Sequence, residues 1–549
     1  MDKRGVRLGV TVWATVAGTL LLLPTARAAE LPPKLKELLR EAQDLQDKGY
    51  YARAWEKYHQ IRVAAHNPPE EVTRGAQICL RRVQQARRLR DKSSQALLGN
   101  LKSSEALTVY VKVLRDLQKN YFEESKVTPA DLFQYGVQEM RLALEDDAFL
   151  SPTVNPAALQ ALKDRLDGLR SDRPGIEEPA DARKHLESVL LSAASLGLKP
   201  NVVLVEFISG ACNALDEYTG YLSPRRLEQI ETDLSGKFVG IGVDVAVVAT
   251  KDGKQLFIKN VYPDSPAQKE ALVVGQVILS IDGQTPDPES PGSLIARLAG
   301  EAGTKVVLEV AFLTADGMKP TDGMKRKVTV ERQPVIIPSV PQAEYDPATG
   351  IGYVRLISFQ KTTPQELRSQ VLWLRSQPSG LKGLILDLRG NLGGALEAAL
   401  EVAEQFLSEG VILITQFRTR EDVRRASNAG ALTLPLVVLV DGETASSAEI
   451  VAGALKENNR AELVGQPTYG KGSIQCVVKL KSLRAGMQVT IARFSSPDRV
   501  PYDGHGVTPH HVVESTVTMM SADPQRDEAF ALLAKKLMMS PALKMPPLN

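Results

Sequence analysis

The feature that most constrains the fold is an alternation of strand-like and helix-like segments in residues 336–520. Four apolar runs, GIGYVRLI, GLILDLRG, VILITQF and PLVVLV, alternate with the helical patterns ALEAALEVAEQFL and SSAEIVAGALKEN. Strands that alternate with helices pack as a sheet covered by helices. We therefore predict an α/β domain here, entered through the proline-rich segment PVIIPSVP.

The length and composition predict several soluble domains and exclude some functions. A chain of 549 residues is too long for one hydrophobic core, and its 43% hydrophobic and 24% charged residues are typical of globular proteins. The 67 basic and 65 acidic residues leave a net charge of only +2, which gives no support for nucleic-acid binding. Three distant cysteines and six scattered histidines predict neither a disulfide framework nor a metal site, and we expect no cofactor.

The N-terminus has the pattern of an export signal. Lys3, Arg4 and Arg7 precede an apolar run over residues 8–23, and the small-residue site A-R-A ends at Ala28. An uncleaved anchor is the alternative, although the run is short for a membrane span of about 20 residues. We expect residues 1–28 to be a signal peptide and the protein to be periplasmic or secreted, with membrane association if the segment stays uncleaved.

The rest of the chain divides into segments that differ in composition and in hydrophobic periodicity. Residues 30–100 have helical periodicity and a G-Y-Y turn, which indicate a tetratricopeptide-like hairpin; a partner-binding surface and an extension packed on its own chain remain equally open. Residues 101–232 are mainly helical, with breaks at prolines near 152–156 and 174–179. Short β-branched runs separated by glycine, aspartate and proline turns predict a mainly-β domain. The predicted divisions after the signal are 30–100, 101–232, 233–335, 336–520 and a C-terminal helical tail at 521–549.

The mainly-β domain resembles a PDZ domain. The resemblance is carried by GKFVGIGV and by IKNVYPDSPAQKEALVVGQVILSIDG. It implies a glycine-rich loop whose backbone amides bind the carboxylate at a peptide's end, beside a strand that accepts the peptide by edge addition. Ala271 and Gln276 depart from the Gly and Asp usual in the family. The substrate-binding residues implied are Phe238, Val239, Gly240, Ile241 and Gly242.

The α/β domain resembles the catalytic core of the carboxy-terminal processing (tail-specific) proteases. The resemblance is carried by GLILDLRGNLGGALEAALEVAEQFL and by PLVVLVDGETASSAEIVAGALKENNRAELVGQPTYGKGSIQ. It implies a crotonase-like layering, Ser446 as nucleophile, Lys471 as general base and Gln475 as the residue that orients the lysine. Glu449 matches a common family position, whereas His510 stands where Asp is usual. The resemblance covers about residues 105–520, with a helical insertion near 145–205.

This chemistry sets physical demands on the site. A serine hydroxyl attacks only when a base takes its proton, and a lysine is a base only as a neutral amine. Bringing the pKa of Lys471 from about 10.4 to near 7 requires about 4 kcal/mol, supplied by burial. The oxyanion needs two donors. We expect the Ser447 amide to be one and Gly393 or Gly394 the other, with Gly393 preferred by resemblance.

Three alternatives compete with this interpretation. Ser446 to Glu449 also fits a helix capping box, which would need no catalysis. The chain could be a catalytically silent PDZ-type scaffold, although a scaffold has no need of Ser446, Lys471 and Gln475 together. Ser447 could be the nucleophile instead. We predict an exported serine endopeptidase without metal that binds unfolded or C-terminally exposed polypeptides; its oligomeric state does not follow from the sequence.

Overall fold

The computed structural model describes residues 31–65, 68–150, 153–250, 253–286, 292–312, 325–341, 343–514 and 523–539. The predicted signal segment, residues 1–28, lies outside this part of the chain. The chain divides into two compact units, residues 1–83 and 84–549.

The first unit is helical. Helix α1 (Pro33–Asp47) and α2 (Tyr51–Ala64) form a hairpin, and α3 (Glu70–Arg90) begins in the same unit. Gly49 makes the turn between α1 and α2 with φ of +79°, a conformation that favours glycine. The core of the unit is formed by fully buried side chains, among them Ala42, Ala54, Ile61 and Cys79.

The second unit begins with a helical region. Its elements are α4 (Lys92–Leu97), α5 (Ser103–Asn120), α6 (Pro129–Ala143), α7 (Pro156–Asp172), α8 (Ala182–Ala194), α9 (Pro200–Asn213), β1 (Gly220–Leu222) and α10 (Pro224–Ser235). Four of these helices carry proline in the first turn, where the missing N–H costs no hydrogen bond. A Cβ at Gly210 of α9 would lie 2.2 Å from the Tyr135 carbonyl oxygen, so glycine allows α6 and α9 to pack backbone to backbone.

The middle domain is mainly β. Its elements are β2 (Lys237–Gly240), β3 (Val243–Thr250), β4 (Gly253–Val261), α11 (Pro266–Lys269), β5 (Val277–Ile281), α12 (Gly292–Ile295), β6 (Lys305–Ala311), β7 (Arg326–Glu331) and β8 (Gln333–Ile336). Strands β3 to β7 form one antiparallel sheet in chain order, and β2 pairs with β8. In the described residues β3 is therefore an edge strand.

Ala271 and Gln276, the two positions that depart from the PDZ family pattern, have opposite consequences for the turn between them. Ala271 adopts φ of +53°, the left-handed conformation that explains why glycine is preferred there. Gln276 is buried, and its side-chain oxygen accepts a hydrogen bond from the Val273 amide at 3.0 Å. Gln276 thus supplies the acceptor that this turn needs, while Ala271 strains it.

The C-terminal domain has the predicted alternation of strands and helices. Its elements are β9 (Ala343–Asp346), β10 (Ile351–Arg355), α13 (Thr363–Arg375), β11 (Gly383–Asp387), α14 (Leu396–Glu404), β12 (Val411–Phe417), β13 (Glu421–Arg425), β14 (Leu436–Val440), α15 (Ser447–Glu457), β15 (Glu462–Gly465), β16 (Ser473–Leu480), β17 (Ala485–Ser495), β18 (His511–Val512) and α16 (Pro524–Met539). The mixed α/β content expected of this part of the chain is confirmed.

Two sheets organise this domain. The first has the order β18-β15-β14-β11-β10-β9 and is parallel except for β9. Its central strands are continuous apolar runs because helices cover both faces: α13, α14 and α15 on one, α16 on the other. The second sheet joins β1, β17, β12 and β13, with β16 on β17. The strand-to-helix turn between β14 and α15 carries the candidate nucleophile.

Candidate active site

Ser446 occupies a strained turn. It follows β14 and stands immediately before α15, with φ of 55° and ψ of −118°. A residue with a side chain rarely adopts this conformation, and such strain concentrates at functional sites. A sharp strand-turn-helix connection also projects a serine hydroxyl away from the backbone. Ser446 is partly exposed, so its hydroxyl can meet a substrate.

The side chain and the backbone amide of Ser447 have different surroundings from those of Ser446. Its side chain is 2% exposed, and its hydroxyl donates a hydrogen bond to the Gly394 carbonyl at 3.0 Å. Its amide is at the first position of α15, where an N–H has no partner within the helix. The side chain is therefore occupied, and the amide is placed to bind an anion.

Glu449 connects the nucleophile to the lysine segment. Its carboxylate is fully buried, and it accepts four hydrogen bonds. Oε2 accepts from the Ser446 amide at 2.7 Å and from the Lys471 amide at 2.9 Å. Oε1 accepts from the Thr468 hydroxyl at 2.6 Å and the Gly470 amide at 2.7 Å. One carboxylate oxygen thus joins the backbones of Ser446 and Lys471.

Lys471 lies in the loop before β16 and is partly buried. Burial lowers its pKa, while the negative charges of Glu449 and Asp216 oppose that effect. Its ammonium nitrogen is 5.3 Å from the ring centroid of Tyr218. Within the described residues, no hydrogen bond joins the side chains of Lys471 and Ser446. The structure therefore brings the two segments together but directs the amine toward Tyr218.

Gln475 lies on β16, beside an irregularity in the pairing of β16 with β17. Its amide nitrogen donates to the Ser473 hydroxyl at 2.8 Å and the Thr490 hydroxyl at 3.4 Å. In the part of the chain that is described, it makes no hydrogen bond to Lys471. Gln475 therefore lies on a strand, whereas the backbone at Lys471 is irregular.

The loop over residues 391–394 packs directly on the nucleophile turn. Gly393 has φ of +98°, and a Cβ there would lie 2.9 Å from the Ser446 Cβ and 3.0 Å from the Ser447 amide nitrogen. Its N–H donates to the side-chain oxygen of Asn391 at 2.9 Å. Asn391 is fully buried and also donates to the Leu356 carbonyl at 2.9 Å. Glycine is thus required at 393, and Asn391 holds its amide.

A buried ion pair stabilises the segment immediately before this loop. Asp387, at the end of β11, accepts hydrogen bonds from the Tyr353 hydroxyl at 2.5 Å and the Arg389 guanidinium at 2.7 Å. Arg389 also pairs with Asp523, before α16, at 2.8 Å. Asn391 and this ion pair were not among the predicted site residues, although a carboxylate that ends the apolar run LILD was a signal in the sequence.

The predicted peptide-binding loop is ordered by contacts within the middle domain. The Ile241 amide donates to the Leu298 carbonyl at 3.2 Å, and the Ile241 carbonyl accepts from the Ala267 amide at 2.8 Å. Gly242 has φ of +83°, and a Cβ there would lie 2.3 Å from the Ser265 Cβ. Residues 238–240 form most of β2. The loop therefore leads directly into the edge strand β3.

The described residues contain no cluster of three or more His, Cys, Asp or Glu side chains placed to hold a metal ion. In the same part of the chain no helix is both long and apolar enough to cross a membrane. The site as it stands consists of a strained serine, a partly buried lysine and a glycine loop with donors nearby. A serine that attacks and a nearby amine that can accept its proton are residue types used in peptide hydrolysis.

Comparison with known proteins agrees with this class. Residues 350–513 match peptidase family S41, and residues 257–311 match a PDZ domain. A carboxy-terminal-processing protease of Bartonella bacilliformis is 32% identical over 312 residues, covering 56% of this chain and 68% of that protein. A carboxyl-terminal-processing protease of a Synechocystis species is 34% identical over 328 residues, covering 58% and 74%.

Two further proteins are similar to this chain. The chloroplastic carboxyl-terminal-processing peptidase 2 of Arabidopsis thaliana is 32% identical, over 57% of this chain and 60% of its own length. A solved structure, a photosystem II D1 C-terminal processing protease, is 24% identical, covering 74% of this chain and 93% of that chain, with a TM-score of 0.38.

The chain belongs to the carboxy-terminal processing protease family, with an S41 peptidase domain and a PDZ domain. It is a C-terminal processing serine protease, as predicted, and the silent scaffold is the less favoured alternative.

Proposed function

We propose that Ser446 is the nucleophile and Lys471 the general base of this protease. The observation that carries the proposal is the single Glu449 oxygen that accepts hydrogen bonds from the backbone amides of both residues. Two residues held by one acceptor have their backbones fixed close to each other, and the lysine amine would have to turn away from Tyr218 to reach the serine. The partial burial that lowers the pKa of Lys471 favours the neutral amine.

The reaction then follows from these groups. The neutral amine of Lys471 takes the proton of the Ser446 hydroxyl as the oxygen attacks the peptide carbonyl carbon. The carbonyl oxygen becomes an anion that accepts hydrogen bonds from the Ser447 and Gly393 amides. Collapse of this intermediate breaks the C–N bond, and the Lys471 ammonium returns its proton to the leaving amine. Water then attacks the acyl-enzyme in the same way and releases the new C-terminus.

Three rearrangements separate the observed arrangement from the proposed reactive one. The Gly393 amide must leave the side-chain oxygen of Asn391 before it can bind an oxyanion. The Lys471 amine must leave the face of Tyr218 before it can bind the Ser446 hydroxyl. Gln475 would orient the lysine only after a comparable change, because its amide is bonded to Ser473 and Thr490. We infer that the structure represents a resting state.

Ser446 is favoured over Ser447 by its surroundings. The Ser447 hydroxyl is buried and already donates to the Gly394 carbonyl, so using it would leave that carbonyl without its donor. Ser446 has the strained conformation and the exposure that a nucleophile needs. The capping contact of Glu449 to the Ser446 amide is compatible with catalysis, since it uses the backbone and leaves the hydroxyl available.

The substrate class is proposed from the middle domain. We infer that a polypeptide C-terminus adds to the edge strand β3, with its carboxylate at the loop of Phe238, Val239, Gly240, Ile241 and Gly242. The loop leads into that strand, and Val247 and Val248 on β3 are more than two-fifths exposed. Because the Ile241 amide donates to the Leu298 carbonyl, the carboxylate would have to displace that contact or use the neighbouring amides.

The wider organisation remains a proposal. We propose that the layering of the C-terminal domain is crotonase-like and that the boundaries predicted from the sequence separate its functional parts. We also propose export to the periplasm or cell exterior, with residues 1–28 as the signal. A protein partner for the hairpin at residues 30–100 stays a prediction.

Separate Ser446→Ala, Ser447→Ala and Lys471→Ala variants test the mechanism. The substrate is an unfolded protein with an apolar C-terminus, cut with and without a competing C-terminal peptide. We expect Ser446→Ala and Lys471→Ala to be inactive, Ser447→Ala to retain part of the activity, and the peptide to change the rate of the parent. Cutting by Ser446→Ala at the parent's rate would refute the nucleophile. Activity lost only in Ser447→Ala would move the assignment by one residue.

A further inference from the structure

We propose that Tyr218 is a positioning residue for the general base: its ring holds the Lys471 ammonium away from Ser446 in the resting enzyme. This inference rests on the proposed function of Lys471 and adds a control on that residue. The ammonium nitrogen is 5.3 Å from the ring centroid, within the range of about 6 Å over which an aromatic face attracts a cation. A ring binds only the charged form of the amine in this way.

The segment that carries Tyr218 is fixed by its own hydrogen bonds. The Asp216 carboxylate accepts from the Tyr218 amide at 2.9 Å and the Thr219 amide at 2.6 Å, which makes a tight turn before β1. The Tyr121 hydroxyl is bonded to the same carboxylate. The Thr490 amide of β17 donates to the Thr219 hydroxyl at 3.1 Å. The ring of Tyr218 therefore faces Lys471 from a turn that is fixed by hydrogen bonds with Tyr121 and Thr490.

The turn over residues 216–219 is also connected by hydrogen bonds to Gln475, the third proposed catalytic residue. Gln475 donates to the Thr490 hydroxyl, and that hydroxyl accepts from Thr219 at 3.4 Å. Movement of the turn would thus change the surroundings of Lys471 and Gln475 together. Tyr218 also lines a cavity of about 490 Å³, which gives the ring space to move away from the amine.

Charged groups face Lys471 from each element packed on it. Glu449 on α15 and Asp216 in the turn both favour its ammonium form, and burial opposes them. Asp503 lies beside Gly472 and is paired with Arg493 at 3.3 Å. The ring of Tyr218 acts in the same direction as the two carboxylates, since it stabilises the cation. Removing the ring should therefore lower the pKa of Lys471, whereas removing only its hydroxyl should not.

The test measures the titration of Lys471 directly. In a Ser446→Ala background, which prevents self-cleavage, brief acetylation at a series of pH values followed by mass spectrometry reports the neutral fraction of the Lys471 amine. We expect Tyr218→Leu to lower the midpoint by about 0.4 to 1.5 pH units, the shift that corresponds to a cation–π contact. Tyr218→Phe should keep the parent's midpoint because it keeps the ring. Tyr221→Leu, the same loss three residues later, is the matched control and should also keep it.

The outcomes separate this proposal from the mechanism on which it rests. In the chain with Ser446 intact, the acid limb of kcat/KM should move to lower pH in Tyr218→Leu by the same amount. An unchanged midpoint in Tyr218→Leu, or an equal shift in Tyr218→Phe or Tyr221→Leu, overturns the role of the ring while leaving the dyad in place. If Lys471→Ala still cuts substrate at the parent's rate, the dyad itself is wrong.

Discussion

Glu449 is the residue on which the geometry of the site depends most, and Glu449→Gln tests that dependence with almost no change in volume. The carboxylate accepts two hydrogen bonds on each oxygen. Glutamine keeps one accepting oxygen and replaces the other with a donor, so two of the four donors lose their acceptor and face an N–H group.

The magnitude follows from those two lost bonds. A hydrogen bond to a charged group contributes about 1.5 to 3 kcal/mol, so the gross loss is about 3 to 6 kcal/mol. Burial raises the pKa of Glu449, which means that the buried charge itself carries a cost that the amide relieves. We expect a net loss of about 2 to 4 kcal/mol, or a Tm lower by about 10 °C for a domain of this size.

The assay combines thermal unfolding with proteolysis. We expect kcat to fall at least tenfold, because Ser446 and Lys471 lose their shared acceptor. Any remaining activity should have its acid limb at lower pH, since the negative charge of Glu449 favours the Lys471 ammonium. Glu443→Gln, at an exposed residue shortly before the same helix, is the control and should change stability by less than about 0.5 kcal/mol. A Glu449→Gln protein as stable and active as the parent would refute this account of the site.

Three further variants test other parts of the structure. Ala271→Gly should raise the stability of the middle domain by about 0.5 to 1 kcal/mol in chemical denaturation, because it relieves a left-handed alanine at a smaller entropic cost; a loss would contradict the strain. Asn391→Ala should lower kcat at least tenfold with little change in KM, because the loop loses the hydrogen bond from the Asn391 side chain to the Leu356 carbonyl that anchors it; an unchanged kcat would argue against a role for that loop. Partial burial raises the pKa of Asp523, but hydrogen bonding to Arg389 brings it below its ordinary value. The ionised Asp523 therefore stabilises the folded protein above about pH 4, and this stabilisation is lost as the pH falls through the lower pKa of the folded state. The difference in unfolding free energy between Asp523→Asn and the parent should therefore shrink on acidification. A difference that grows instead would contradict this assignment.

Much of the site's composition could be predicted from the sequence because it depends on residue type and local spacing. Apolar runs such as LILD and LVVLV predict buried strands, and Ser446 after such a run predicts a strand-turn-helix connection. The glycines around Lys471 and at Gly393 predict close backbone approach. The family resemblance added which of these residues react, and the comparisons confirm the family.

Other parts could not be predicted because they depend on contacts between distant segments. The resemblance implied that Gln475 orients the lysine, but β16 directs its amide to Ser473 and to Thr490 of β17. Glu449 was recognised as a family position and as the acidic residue of a capping box, but its contacts with Thr468, Gly470 and Lys471 were not predicted. The contact of Lys471 with Tyr218 joins segments with no shared pattern.

The sequence by itself therefore determined the fold class, the order of the helical, mainly-β and α/β segments, and the kinds of side chain available for catalysis. Hydrophobic periodicity and turn chemistry are local properties of the chain. Only the tertiary structure decided where the amine of Lys471 points, which amide Asn391 holds and which backbone groups share the Glu449 carboxylate. The physical reason is that a buried polar group takes whichever partner the packing of remote segments brings within about 3 Å, and no local pattern specifies that partner.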